Sequence, residues 1–311
     1  MKKTIIKTVI TTITLFAGLL THAESKDDKI KDQLFPSEIL QISDDERIKA
    51  SVLLADKQER KIYFFENNAN ISSATESYEI DIGKNDGPKT KRDDKKTPEG
   101  IYLLLEKITP PEIPFDLYGS MAFTTDYPNV FDKFENKTGS GIWLHSVPDT
   151  VPLNRGSRGC VILRNENIAK VSDRISLKKS YLIINAQSKW ISPEAHAMEL
   201  KKISDWINNW QNQWQNQDLE NYIKLYSDDF ASPGFNKKSW LKHKEKLKSL
   251  YSNITVTLSK PSIFHLKDQY IVKFIQTYSS DKYQDIGIKT LYLLEEKNQI
   301  QVLREEWAAV K

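Results

Sequence analysis

From Ser51 onward the apolar residues fall in short runs: Val52-Leu53-Leu54, Ile62-Tyr63-Phe64-Phe65 and Tyr78-Glu79-Ile80-Asp81-Ile82, separated by Gly, Asn and Asp clusters. Runs of this length bounded by turn residues predict strands joined by hairpins. Gly83 to Gly87 and Thr97-Pro98-Glu99-Gly100 are turn signals, the second leading into a strand over residues 101–105. Further strands are expected over 141–145 and 181–184. Between about 188 and 196 the texture changes. Leu200, Ile203, Trp206, Ile207, Trp210 and Trp214, then Leu219, Tyr222, Ile223 and Tyr226, recur at helical spacing and predict helix across 195–230. A second amphipathic helix is expected over 240–250, followed by strands over 254–258, 270–278, 288–294 and 300–307. The pattern is a mostly-β domain followed by an α+β domain whose helices cover one face of a curved sheet. Upstream, residues 24–45 are polar, with Leu34-Phe35-Pro36 and a short helical pattern around Ile39, Leu40 and Ile42. They read as an arm that packs on something, a second copy of the chain being one candidate.

The first residues change the picture by giving an address. Lys2, Lys3 and Lys7 precede an uncharged stretch from Val9 to Leu20, and Thr21-His22-Ala23 offers small residues at −3 and −1 of a cleavage site. That is the layout of a secretory signal peptide, and the stretch is shorter than the roughly 20 residues of a spanning helix. No later segment is apolar and long enough to span. The resulting division is a signal peptide over 1–23, an arm over 24–47, a β-rich domain over 48–188 and an α+β domain over 195–311. The charge, 45 basic against 42 acidic residues, is interspersed and gives no argument for nucleic acid. The mixed run from Lys89 to Lys96 reads as a solvated loop.

An exported chain meets oxidising conditions, where structural cysteines come in pairs. This chain has one, Cys160. It is either a small buried hydrophobe at the start of a strand (Val161, Ile162 and Leu163 follow) or a reactive thiol. Its setting is His145-Ser146-Val147, a loop containing Pro, Asn and Gly, then Ser157-Arg158-Gly159-Cys160. Histidine can take the thiol proton and return it to a leaving amine. Fifteen residues are enough for a loop to bring Cys160 back beside a strand ending at His145. Gly159 permits a sharp turn and leaves main-chain N–H groups free to face an oxyanion. Arg155 and Arg158 add positive charge that would favour thiolate and could hold a substrate carboxylate. A thiol so activated is expected to alkylate readily.

The whole string resembles the active-site signature of the L,D-transpeptidase (YkuD-type) family, in which a strand-end histidine precedes a Ser/Thr-x-Gly-Cys turn by some fifteen residues. Gly83-Lys84-Asn85-Asp86-Gly87 with Thr97-Pro98-Glu99-Gly100-Ile101-Tyr102, and Gly141-Ile142-Trp143-Leu144-His145, are similar to two further motifs of that family. The resemblance covers residues 48–188. It implies a β-sandwich enzyme acting on peptidoglycan stem peptides, at the bond between a meso-diaminopimelate residue and D-alanine. Cys160 would form a thioacyl intermediate, His145 would be the base, and Gly159 and Cys160 would supply oxyanion-hole amides. Ser157, Arg158 and Trp143 would line the substrate groove, with Arg155 a further substrate-binding candidate by its charge alone. Arg158 stands where many members have His, Ile162 where many have Arg, and Ser146 where Gly is common. These departures bear on the acyl acceptor.

The second half resembles the cone-shaped nuclear-transport-factor-2-like (SnoaL-like) fold, its aromatic stripe reading mainly as core and otherwise as a pocket wall for sugars. The two-domain order is similar to that of cell-shape L,D-carboxypeptidases, which trim tetrapeptide stems to tripeptides in the periplasm of Gram-negative bacteria. The expectation is such a carboxypeptidase. A transpeptidase that cross-links stems or attaches proteins to the wall, and a non-catalytic wall-binding scaffold, are the alternatives. The resemblance calls for no cofactor, and five scattered histidines with one cysteine show no zinc spacing.

Overall fold

A computed structural model describes residues 34–66, 71 and 74–310; the expected signal peptide and the first part of the arm lie outside the described residues. Strands β1 (Phe35–Pro36) and β2 (Ile39–Gln41) lead into β3 (Val52–Asp56), β4 (Lys61–Phe65), β5 (Glu76–Glu79) and β6 (Gly100–Ile108). After these come β7 (Ala122–Thr125), β8 (Trp143–Val147), β9 (Val161–Arg164), β10 (Tyr181–Asn185) and β11 (Trp190–Ile191). Among the described residues, eight of these strands form one sheet in the order β5-β4-β3-β10-β6-β7-β8-β9. Its neighbours are antiparallel except β10 on β3 and β9 on β8.

The second half opens with helix Pro193–Gln215, whose Ser192 cap accepts from the Ala195 N–H and whose first residue is proline, as helix starts favour. The expected helix across 195–230 is broken. Gln217 takes a positive φ, and Asp218 caps a new helix, Leu219–Lys224. Strands β12 (Ala231–Ser232) and β13 (Phe235–Asn236) precede helix Lys237–Leu250. Then come β14 (Thr255–Leu258), β15 (Ser262–Leu266), β16 (Gln269–Ser279), β17 (Gln284–Glu296) and β18 (Gln299–Ala309). The last four of these line up as β18-β17-β16-β15, and β14 also pairs with β16.

The edge beyond β15 is occupied by β2, with Ile263 opposite Gln41 and Phe264 opposite Ile39. Residues 39–42 are therefore strand-like rather than helical. Leu40 points into the core of the second domain while Ile39 joins a different cluster, the alternation of a strand buried on both faces, and Ile42, just past the strand's end, packs with Ile39. The described part of the arm packs on its own chain.

Three apolar clusters explain the sequence texture. One fills the cone between the helices and the curved sheet, with Trp210, Trp214, Tyr222 and Phe274 among its members. A second lies under the helix Asn165–Ser172 on one face of the eight-stranded sheet, with Leu53, Leu104, Leu144, Val161 and Leu182. The third is shared between the domains. Val52, Leu54, Ile101, Tyr181 and Ile183 from the other face of that sheet meet Phe264, Leu266, Ile271, Tyr292 and Leu303 of the second sheet. Unbroken apolar runs such as Val52-Leu53-Leu54 arise because these strands are covered on both sides.

Candidate functional site

Cys160 and His145 are brought together by the parallel pair β8–β9, in which Leu144 faces Val161 and His145 faces Ile162. Side chains alternate along a strand. Leu144, Val161 and Leu163 enter the core on one face, so His145 and Cys160, out of phase with them, share the other. The turn into Cys160 is tightly fixed. Gly159 has φ +135°, and a Cβ there would sit 2.7 Å from the Lys96 carbonyl and 2.9 Å from Ile142 Cδ1. Only glycine meets both conditions. Asp81, buried, accepts the Gly156 N–H at 2.7 Å while its main chain bridges Ile162. The Lys84 N–H donates to the Ser157 carbonyl at 3.0 Å, and the Ser157 N–H to the Ile82 carbonyl at 2.7 Å.

The thiol lies 3.5 Å from the Gly141 carbonyl. Burial pushes it up to about 11, against the smaller opposing pulls of the Trp143 backbone N–H and the Lys89 charge. Burial likewise pushes His145 down to about 4; its hydrogen bond to the Ser146 carbonyl opposes this and Arg155 adds to it. A carbonyl can only accept, so His145 Nδ1 carries the proton in that 2.7 Å bond and Nε2 is left as the free acceptor. Both shifts favour the uncharged forms, thiol on Cys160 and imidazole on His145. The Tyr118 ring stands edge-on to His145 at 5.0 Å and tilted against Trp143 at 5.2 Å.

Cys160 opens into a cleft of about 360 Å³ lined also by Lys89, Arg92, Asp93, Tyr118, Ile142 and Arg158. The run read as a solvated loop is thus one wall of the cleft. Its Lys89 is buried, donating to Asp94 Oδ1 at 2.6 Å and the Lys91 carbonyl at 3.0 Å. Burial alone would raise the Asp94 carboxyl, but Lys89 and the Thr90, Lys96 and Lys91 amides hold it well below the usual range.

Several expected roles are redistributed. The Gly159 N–H is taken by Ser157 Oγ at 2.9 Å, and that hydroxyl donates to the Cys160 carbonyl at 2.8 Å. Ser157 therefore braces the turn instead of lining the groove, and the Gly159 amide is not free for an oxyanion. Arg158 is solvent-exposed and paired with Asp93 at 3.1 Å; the cation that acts on the thiol is Lys89, and Arg155 acts on His145. Trp143 is half-buried against Tyr118. Ser146 Oγ accepts the Ser120 N–H at 3.0 Å and so anchors the segment carrying Tyr118. Arg164 donates to the Val151 carbonyl at 2.6 Å, ordering the loop between the histidine and cysteine strands. Among the described residues no three His, Cys, Asp or Glu side chains converge as metal ligands would, and no helix is long and apolar enough to cross a membrane.

A second cavity, of about 610 Å³, lies at the mouth of the cone and is lined by Tyr181, Trp240, Lys273, Lys289, Glu305 and Trp307 among others. Glu305 there accepts from Lys289 at 2.5 Å and from the Tyr226 hydroxyl at 2.7 Å. Of the aromatic stripe, Trp210, Trp214 and Tyr222 are core, and Trp240 reaches the cavity.

Residues 50–184 match the L,D-transpeptidase catalytic domain (YkuD), and 202–306 the Cds6 C-terminal NTF2-like domain. The chain is similar to Bd1075 of Bdellovibrio bacteriovorus, with 48% identity over 89% of this chain and 99% of that one, at a TM-score of 0.83. It is also similar to the helical cell shape determining protein Pgp2 of Campylobacter jejuni, with 26% identity over 84% of this chain and 96% of that one, at a TM-score of 0.64. A singly substituted form of that protein matches with a TM-score of 0.66. No curated protein matches the chain. With the signature residues carried on the adjoining strands β8 and β9 and the turn between them and a relative of 48% identity covered almost end to end, the chain belongs to the peptidoglycan-modifying L,D-transpeptidase family, carrying a C-terminal NTF2-like domain.

Proposed function

We propose that the protein is an exported L,D-carboxypeptidase that removes the terminal D-alanine from tetrapeptide stems, acts in the periplasm and shapes the cell through the wall. The observation that carries this reading is the Cys160–His145 pair on one sheet face, with Nε2 free and the thiol at the floor of a cleft with cationic walls. The likeness to a helical cell shape determining protein supports the cellular role. The departures around the cysteine, Ile162 and Ser146 buried and Arg158 turned to solvent, support water as acceptor.

In this mechanism His145 Nε2 takes the Cys160 proton as sulfur attacks the carbonyl of the third stem residue. The Cys160 amide stabilises the oxyanion, since the Gly159 amide is already bonded. Collapse breaks the C–N bond, and the imidazolium returns its proton to the departing amine of D-alanine. Water then attacks the thioester carbon, losing a proton to His145. The tripeptide carboxylate departs, and sulfur recovers the proton. Neutral partners suit this sequence, because proton transfer accompanies attack and no ion pair has to be desolvated beforehand. Arg92, on the cleft wall, is placed to pair with the terminal carboxylate of the stem.

The test is to incubate the chain from Glu24 onward, and its Cys160→Ala variant, with defined tetrapeptide muropeptides and weigh the products. Tripeptide and free D-alanine from the unsubstituted enzyme alone support the proposal. Cross-linked dimers or D-amino-acid exchange would make it a transpeptidase, and absence of any turnover would overturn the enzymatic reading in favour of a binding role.

A further inference from the structure

One turn of the C-terminal domain, Lys267-Asp268 with the adjoining Gln269, joins β15 to β16 and reaches the structures behind both walls of the cysteine cleft. On one side Lys267 Nζ donates to Glu99 Oε2 at 2.8 Å, and Glu99 Oε1 accepts from Lys57 Nζ at 3.0 Å. Lys57 also donates to the Gly87 carbonyl at 2.9 Å and the Thr97 carbonyl at 3.1 Å, drawing together the two ends of the 88–96 wall. On the other side Gln269 Nε2 donates to Glu135 Oε1 at 2.9 Å. Glu135 pairs with Lys137 at 3.0 Å, at the root of the segment that supplies Gly139 to Ile142 to the cleft. The two walls meet where the Thr138 N–H donates to the Thr90 carbonyl at 3.1 Å.

The Glu99 and Lys57 side chains are 6% and 8% exposed, whereas Lys267 is 56% exposed. A carboxylate at that depth is costly unless paired and hydrogen-bonded. Burial would raise its pKa, yet the two ammonium groups hold it below the ordinary value. Lys57 alone balances the charge of Glu99. What Lys267 adds is a fixed orientation of the second oxygen, and with it the carboxylate that anchors Lys57. From there the path to the nucleophile is short. Thr97 Oγ1 accepts the Gly83 N–H at 2.8 Å, and the Lys96 carbonyl abuts Gly159.

We propose that this turn is a positioning device: Lys267 and Gln269 let the C-terminal domain set the spacing of the cleft walls, so that the domain acts on catalysis as well as on any wall binding of its own. Lys267 and Gln269 are positioning residues and touch no substrate. The inference rests on the enzymatic reading given above. A domain that served only to tether the enzyme to the wall would leave turnover of a single soluble stem unaffected by these residues.

The experiment measures steady-state release of D-alanine from a soluble tetrapeptide stem by the whole chain and by Lys267→Gln, Lys267→Arg and the double variant Lys267→Gln/Gln269→Ala. A half-exposed ion pair supports a modest effect, so Lys267→Gln is expected to lower kcat/KM by about three- to fivefold, mainly through KM. The double variant falls further, Lys267→Arg returns to within about twofold of the unsubstituted enzyme because its guanidinium keeps the bond, and melting temperatures stay together. Hydrogen exchange should quicken in 84–97 and 136–141 of the double variant. Unchanged KM and exchange in the double variant, or an activity loss that merely follows a fall in melting temperature, would overturn the proposal. If the unsubstituted enzyme releases no D-alanine, the enzymatic reading fails, and the exchange rates alone decide whether the turn holds the walls.

Discussion

Alkylation of Cys160 as a function of pH tests the electrostatics of the site directly. Thiolate, not thiol, is the nucleophile. Burial moves this thiol from its ordinary 9.0 to about 11. At about pH 8 an ordinary thiol is roughly one-tenth ionised and this one roughly one part in a thousand, so iodoacetamide should react about a hundredfold more slowly than with an exposed cysteine. The rate should climb about tenfold per pH unit up to about pH 11. Lys89 pulls the thiol downward, so Lys89→Met should slow alkylation further at every pH below the plateau. His145 is uncharged well above pH 4, and His145→Gln should leave the profile in place while abolishing turnover. Intact-mass spectrometry of timed samples reads each rate. A plateau reached below about pH 8, or a profile that moves when His145 is removed, would refute the reasoning: the resting site would then be a thiolate–imidazolium pair. A slow, pH-limited reaction would set aside the ready alkylation expected from Arg155 and Arg158, and a fast one at neutral pH would support it.

Two further outcomes follow from the packing and the cleft. Phe264→Ala removes a wholly buried ring from the core shared by both sheets and should cost about 3–5 kcal/mol; in urea, fluorescence and activity should be lost in one transition, whereas two separated transitions would contradict a common core. Arg92→Gln should raise KM for a stem with a free terminal carboxylate by about tenfold, as loss of a charge-assisted bond implies, and should leave KM for the terminal amide unchanged when D-alaninamide release is followed.

The sequence is most legible where local chemistry and tertiary need coincide. The strands around Val52, Ile62 and Tyr181 and the glycine turn before Cys160 stand as expected, because period and turn residues announce them. The strand expected over 141–145 runs instead over Trp143–Val147, with His145 at its middle rather than its end. β7 leaves little trace in the sequence: Ala122-Phe123-Thr124-Thr125 is short, and its pairing to β8 is non-local. β15 is hidden by Pro261 and the polar His265 within a five-residue strand. Ile39-Leu40-Gln41 suits either periodicity, and only the vacant edge of β15 makes it a strand. The proposed nucleophile and base are readable because the cysteine is single and the motif ordered. The cleft walls are not. Lys89 and Asp94 look like surface charges until each is seen to neutralise the other out of water, and Tyr118 belongs to no local pattern.

The strand β2 has a consequence in time. Ile39 pairs with Phe264, more than two hundred residues later in the chain. At roughly 5–20 residues per second of synthesis, the early segment waits on the order of 10–45 seconds for its partner to exist. Until then the apolar side chains of β2 and of the sheet face it helps cover have nothing to lie against, and this is the kind of contact that slows folding most. A chain truncated before β15 would lack both the strand that captures its N-terminal segment and the turn that reaches the cleft. Completion of the polypeptide thus becomes a condition of the active shape, and an unfinished copy is left as a substrate for proteases with its hydrophobic face uncovered.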